Sequence, residues 1–318
     1  MATIRSVSRM RTLSILSIAA ASALLLAGCT VDDGTGAGSD STTSVATGKN
    51  LNGAESFGLK PADSVTKLVP SDLKGKTLTV ALYNDGAPQD YIEDGKLVGI
   101  QADFAQAVSE LSGLDFQFAS VGSFDSLIPG LQSKRYDAAF VDFGATAERQ
   151  KIVDLVHQFD LPTGFGVVAG SSLKIDTAED LCGTTAGLAA GSYFIEQVQG
   201  ISKDCTDAGK KAITVQAYPS ESQSVLAVTS GRTQVYATSS DQLAFAASKS
   251  RSKLDVQKFT YKPIPQAIGV PKDSKLGPVI VAAVKEMIED GSYAKILKKW
   301  DIETAAITAD DVVINPVK

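Results

Sequence analysis

Apolar positions along this chain fall into two alternating rhythms: short β-branched or aromatic runs, and longer segments with apolar residues three and four apart. Thr77 to Tyr83 (TLTVALY) predicts a strand, and Asn84 to Asp94 a turn-rich polar connection. Ile100, Phe104, Val108 and Leu111 share one helical face, stopped by Gly113. A strand over Asp115 to Ala119 follows, then a helix with Phe124, Leu127, Ile128 and Leu131 on its buried face, then a strand over Asp137 to Val141. Thr146 is placed to cap another helix by accepting a bond from the amide of Arg149. A second series begins after Gly170. It has a strand over Gly183 to Leu188, a helix start at Gly191-Ser192-Tyr193, and a strand over Ile213 to Ala217. A helix over Ser220 to Ser230 carries a Ser220/Gln223 capping box and closes at Gly231, and a strand over Thr233 to Thr238 completes the series. The chain returns through Ala267 to Lys272. It ends in two helices, one bearing Val279, Ile280, Ala283, Val284 and Met287 up to Gly291, the other spanning Ser292 to Trp300. Strands alternating with helices of this length predict βαβ units and parallel sheets.

The N-terminus follows neither rhythm. Arg5, Arg9 and Arg11 precede an apolar run from Leu13 to Leu26, short for a membrane span, and Leu26-Ala27-Gly28-Cys29 follows. Basic flank, apolar run and small-residue cleavage site together read as an export signal over residues 1–28. The absence of an Arg-Arg pair favours general secretion over the twin-arginine route. Gly, Ser, Thr and Asp dominate from Thr30 to about Asn52, so residues 29–73 read as a flexible tether ahead of a body starting near Lys74.

Composition narrows the chemistry. The chain of 318 residues carries a formal charge of −6, and removing 1–28 takes away three Arg and no acid, leaving −9. A mildly acidic surface without a basic cluster argues against nucleic acid and anionic lipid headgroups as partners. His157 is the single histidine and lies in a strand-like run, which favours a structural role. There is no nucleophile elbow, no P-loop, no Gly-x-Gly-x-x-Gly and no Cys/His metal set, so no catalytic residue, cofactor or metal is expected. Beyond Cys29 only Cys182 and Cys205 remain. In an exported chain that pair suggests a disulfide, two buried thiols being the alternative.

Arg149 is the first candidate for binding. It stands one short turn beyond a strand's C-terminal end, where open α/β sheets bind ligands and a fixed guanidinium favours a carboxylate. A surface pairing with Glu148 or Asp154 is the alternative. Free amides at Gly191-Ser192-Tyr193 offer a second anion site.

The block FDSLIPGLQSKRYDAAFVDFGATAER, from Phe124 to Arg149, resembles the polar amino-acid-binding family of bacterial ABC-importer solute-binding proteins. That family carries an aromatic before "LIPxL", a "YDA" strand, and a "TxER" turn. "GKLVGIQADFAQAV" resembles its opening hairpin and first helix, "KILKKW" its closing helix, and the likeness runs from Leu78 to Ile302. It implies a periplasmic-binding-protein-like α/β fold, with two lobes joined by two crossover strands near Val167 and Ile268 and a ligand cleft between them. The boundaries expected are 74–168 plus 266–318 for lobe 1 and 169–265 for lobe 2. By resemblance Arg149, Ser192 and Tyr193 share the ligand carboxylate, and Phe124 stacks on its aliphatic part. Leu26 to Cys29 matches a lipobox, implying a diacylglycerol on Cys29 and a protein exported and anchored to the outer face of the membrane. Many Gram-positive members carry a cysteine pair in the second lobe.

Several positions depart from the family pattern. Ser239 occupies the place of the Asp that pairs with the ligand ammonium, and Asp241 lies just beyond. Gly144 stands where Ser or Thr is common before Thr146, with Asp142 two residues earlier. Tyr83 replaces a common acid, Gln89 a usual aromatic, and Asp85 and Asp90 add acid to the opening loop. Either Asp142, Asp241 or Asp85 rebuilds a cation site, or the ligand is an opine or cyclic zwitterion without an ordinary ammonium. The acids favour the first, since a buried cation needs compensation worth several kcal/mol. The leading function is a membrane-tethered, monomeric receptor that delivers a polar or cationic amino acid to ABC permease subunits. A dehydratase acting on a cyclohexadienyl amino-acid precursor, and a sensing or adhesion lipoprotein, are the alternatives.

Overall fold

The computed structural model describes residues 51–250 and 253–318. The expected signal segment and the lipidation at Cys29 lie outside the described residues. The packed chain begins ahead of Lys74. Leu51, Ala54, Phe57 and Leu59 lie against the first hydrophobic core, and the short helix α1 (Asp63–Thr66) inserts Val65 into it. The sequence between Leu51 and Lys74 is polar overall, so its few apolar residues give no rhythm, yet all but the exposed Leu68 pack against this core.

The first α/β series then runs β1 (Thr77–Tyr83), β2 (Asp85–Gly86), β3 (Asp90–Glu93), β4 (Lys96–Val98), α2 (Ile100–Ser112), β5 (Asp115–Val121), α3 (Leu127–Gln132), β6 (Ala138–Gly144) and α4 (Ala147–Gln150). Strand β1 pairs in parallel with β5 and with β6, as the alternation predicts. The expected polar connection is more ordered than its composition suggests: β2, β3 and β4 form a three-stranded antiparallel sheet. Gly99 makes its close approach possible. Its φ is +129°, and a Cβ there would lie 2.3 Å from the Gln89 carbonyl oxygen.

The long strand β7 (Val153–Val168) leads to the second series: β8 (Thr185–Ala189), α5 (Phe194–Asp207), β9 (Thr214–Tyr218), α6 (Glu221–Thr229), β10 (Val235–Ser239) and α7 (Ser240–Lys249). Here β8 pairs in parallel with β9 and β10. A disulfide joins Cys182 to Cys205, tying the start of this series to the end of α5. A second long strand, β11 (Leu254–Pro271), returns to the first series, and α8 (Leu276–Asp290) and α9 (Ser292–Lys299) follow.

The eight-stranded sheet has the order β5-β1-β6-β11-β7-β10-β8-β9, with two parallel trios separated by the antiparallel pair β11 and β7. This is the two-lobed arrangement, with separate hydrophobic cores in the two series. The crossing itself differs in position from Val167 and Ile268. Val167 already pairs with Val235 in the second series, and Ile268 with Val156 in the first. Between them lie the pairs Asp160–Pro265 and Leu161–Ile264. A continuous apolar run marks a strand but not the residue at which it changes neighbours. His157 has the structural setting its sequence context indicated, its ring nitrogens 2.9 Å from the Asp311 carbonyl and 2.9 Å from the Asp160 carboxylate.

Candidate functional site

Arg149 is set by its helix cap. The Thr146 hydroxyl accepts a bond from the Arg149 amide at 3.3 Å, opening α4 and directing the side chain back along β6. The guanidinium is buried and donates to the Gly144 carbonyl at 2.9 Å and to the Gly191 carbonyl at 2.7 Å. It therefore links the end of β6 to the turn after β8. Its carbon lies 5.9 Å from the centre of the Phe124 ring and 5.7 Å from that of Phe143. Phe124 is half-buried and meets Tyr83 edge-on at 5.5 Å.

The facing turn is less open than the sequence suggests. The Ser192 amide donates to the Ala189 carbonyl at 3.2 Å, so it is not a free anion donor. The Ser192 hydroxyl is buried without a hydrogen bond. Tyr193 is buried with its hydroxyl accepting from Gln266 at 3.1 Å, and its ring fills the space beside Gly144. A Cβ at Gly144 would lie 2.1 Å from the Tyr193 ring. The glycine in place of the usual Ser or Thr is thus the partner of this tyrosine, a correlation between two distant segments that one sequence does not display.

Carboxylates dominate the rest of the cleft. Asp142 and Asp241 are both buried; burial raises each, and the charge of Asp241 pushes Asp142 further up. Gln89 donates to Asp241 at 2.6 Å. Asp90, fully buried, accepts from the Tyr83 amide at 2.5 Å, and its other oxygen lacks a partner. Burial and then Asp142 hold its carboxyl well above the usual range. Glu221, in the first turn of α6, is pushed up to about 7 by burial, opposed by the Tyr236 hydroxyl, which donates to it at 2.7 Å. Asp85 lies at the rim, where the Ser222 amide donates to it at 3.1 Å. Ser239 is buried and donates to Gln242 at 2.9 Å, and Gln242 donates to the Gly86 carbonyl at 3.1 Å. Burial, with the charges of Glu221 and Asp85, keeps the Tyr83 phenol protonated.

One central cavity of about 10 Å³ brings together Tyr83, Phe124, Asp142, Ser192, Tyr193 and Glu221. Asp241 lies close enough to Asp142 for its charge to raise that carboxyl, whereas Arg149, Asp85, Gly144, Thr146 and Ser239 do not line this cavity. Reasoning from sequence missed Glu221 and Gln242, and named Asp90 only as an extra acid of the opening loop. Glu221 directly follows the Ser220 cap, where an acid ordinarily answers only the helix dipole. Among the described residues no group of His, Cys, Asp and Glu is arranged to hold a metal ion.

Known proteins share this architecture. The family described as bacterial extracellular solute-binding proteins, family 3, matches residues 78–303. The arginine-binding protein ArgT of Corynebacterium glutamicum is 25% identical over 269 residues, spanning 84% of this chain and 87% of its own. An ancestral arginine-binding protein bound to arginine superposes with a TM-score of 0.64 at 31% identity, over 72% of this chain and 99% of that one. The structure of an ancestral arginine-binding protein bound to glutamine gives 0.63 at 30% identity, over 71% and 98%. These relatives are binding proteins. With the family match extending from the first strand of the sheet to the end of the last helix, this chain belongs to family 3 of the bacterial extracellular solute-binding proteins.

Proposed function

We propose that the protein is an exported, lipid-anchored, monomeric receptor that binds a cationic amino acid of the arginine class and delivers it to an ABC permease without chemical change. The observation that carries this reading is the charge of the cleft: Asp90, Glu221 and Asp241 are buried within reach of Asp142, and the one buried Arg or Lys among the described residues, Arg149, faces Asp142 alone of these four. Buried carboxylates left with a single guanidinium take up protons, as the upward shifts of these acids indicate, and a further positive charge joining them would let them ionise. A cationic amino acid supplies one carboxylate for Arg149 and two positive groups for the acids. The names of relatives such as the C. glutamicum protein point to the same ligand class.

In this reading Asp142 and Asp241 take over the ammonium role that Ser239, a neutral hydroxyl, cannot fill. The lobes divide beside Leu161 and Ile264, where β7 and β11 cross, and close by bending there. Three bonds run between the lobes, Arg149 to Gly191, Gln89 to Asp241 and Gln242 to Gly86, and in this reading they belong to the closed form. Among the described residues no helix is long and apolar enough to cross a membrane; in this reading the lipid on Cys29 is the anchor.

Isothermal titration with L-arginine, L-lysine, L-glutamine and agmatine tests the reading. Arginine should bind most tightly, and agmatine, which lacks the carboxylate, at least tenfold more weakly. Tighter binding of agmatine, or heat with none of the four, would refute it.

A further inference from the structure

A second cavity of about 280 Å³ lies on the far side of Glu221 and Gln242, which line it and the central cavity alike. Its walls come from both lobes: Asp85 and Tyr91 from the opening hairpin, Val225, Tyr236 and Phe245 from the helices and strand of the second series. Tyr91 and Phe245 adjoin with ring centres 5.7 Å apart, forming one aromatic wall. That wall already receives a cation at its mouth, where the Lys249 ammonium lies 5.2 Å from the centre of the Phe245 ring.

We propose that this chamber takes the charged end of the ligand's side chain, a guanidinium or ammonium, against the Tyr91–Phe245 wall with the Glu221 carboxylate as its partner. The inference rests on the reading under Proposed function and adds the residue that selects for a positive tail. Glu221 is buried and accepts a bond from one neutral hydroxyl, that of Tyr236, with a second carboxylate, Asp85, close by. Its charge is left for a ligand to neutralise. Glu221 and Gln242 form the boundary between the central cavity and the larger space, so a side chain that extends past them ends in the chamber. Because Glu221 and Phe245 belong to one lobe and Asp85 and Tyr91 to the other, a tail lodged here touches both and favours closure.

L-Citrulline, in which a neutral urea replaces the guanidinium, separates charge recognition from shape. The wild-type protein is expected to prefer L-arginine over L-citrulline by about a hundredfold or more. Glu221→Gln keeps the acceptor for Tyr236 and should reduce that ratio at least tenfold, through lost arginine affinity. Lys249→Met removes the competing cation and should raise the ratio severalfold. Arg149→Ala should weaken both ligands alike, leaving the ratio unchanged. An unchanged ratio in Glu221→Gln, with arginine still bound through Arg149, would overturn the chamber assignment and leave the receptor reading intact. Failure of the wild-type protein to bind L-arginine would overturn both.

Discussion

Arg149 and the carboxylates of the cleft are buried to a similar degree, yet they are satisfied differently. Arg149 donates to two backbone carbonyls, one from each lobe, and lies beside two aromatic rings. Glu221, Asp241 and Asp90 receive neutral donors only: a tyrosine hydroxyl, a glutamine amide and a backbone amide. Neutral donors complete a hydrogen bond but do not cancel a charge. Burial therefore drives every one of these acids upward, and Asp142, placed near Asp241 and Glu221, is raised further by their charge. In the proposed receptor, the guanidinium side is prepared before ligand arrives, while the acid side is completed by it.

The largest test of this difference is on the prepared side. Arg149→Ala should weaken arginine binding by about 2–5 kcal/mol, roughly thirty-fold to several thousand-fold, because a desolvated carboxylate loses its partner. Normal binding by this variant, measured by titration calorimetry, would show that the cleft is used elsewhere.

On the acid side the sharpest readout is pH. A cation favours ionised Glu221, so binding releases a proton whenever the carboxyl starts protonated. With the group at about 7 in the ligand-free protein, arginine affinity should rise as pH increases, by about thirty-fold between pH 5.5 and 8, then level off. The groups facing Glu221 are Tyr236, Tyr83, Asp85 and Asp142; the two tyrosines stay neutral over that range, their phenols pushed upward by burial. For folding alone the sign reverses. An acid raised in the native state binds protons on folding, so its contribution is present at low pH and is lost as pH climbs from the ordinary range to the raised value. Arginine should consequently raise the melting temperature more at pH 8 than at pH 5.5. A flat affinity profile would remove Glu221 from the cation site.

Asp142→Asn and Asp241→Asn preserve shape while removing charge, and at least one should cost about tenfold in affinity. Wild-type binding by both would leave the ammonium role to other acids of the cleft. The smallest effect on binding is expected remote from both sides. Replacing Cys182 and Cys205 by Ala should lower stability by about 3 kcal/mol, seen in denaturant unfolding, with arginine affinity changed less than twofold. A large loss of affinity would mean that the bond positions the cleft.

What the sequence determined is local. The apolar rhythm located the helices and parallel strands, because periodicity of 3.6 or 2 reports which face of an element is buried. It likewise placed the Thr146 cap and hence Arg149, whose geometry depends on neighbours three residues apart. The cysteine pair was legible by count. Tertiary structure decided what joins segments far apart in the chain. It packed Leu51 to Val69 onto the first lobe, folded the polar opening loop into a hairpin, and occupied the Ser192 amide with Ala189. It also set the Tyr193 ring against Gly144 and gathered Glu221, Asp90 and Gln242 at the cleft. A polar residue buried for a long-range partner carries the same letter as one facing water, and no local period distinguishes them. The charge balance of the cleft therefore appears only when β1, β6, α6 and α7 are brought together.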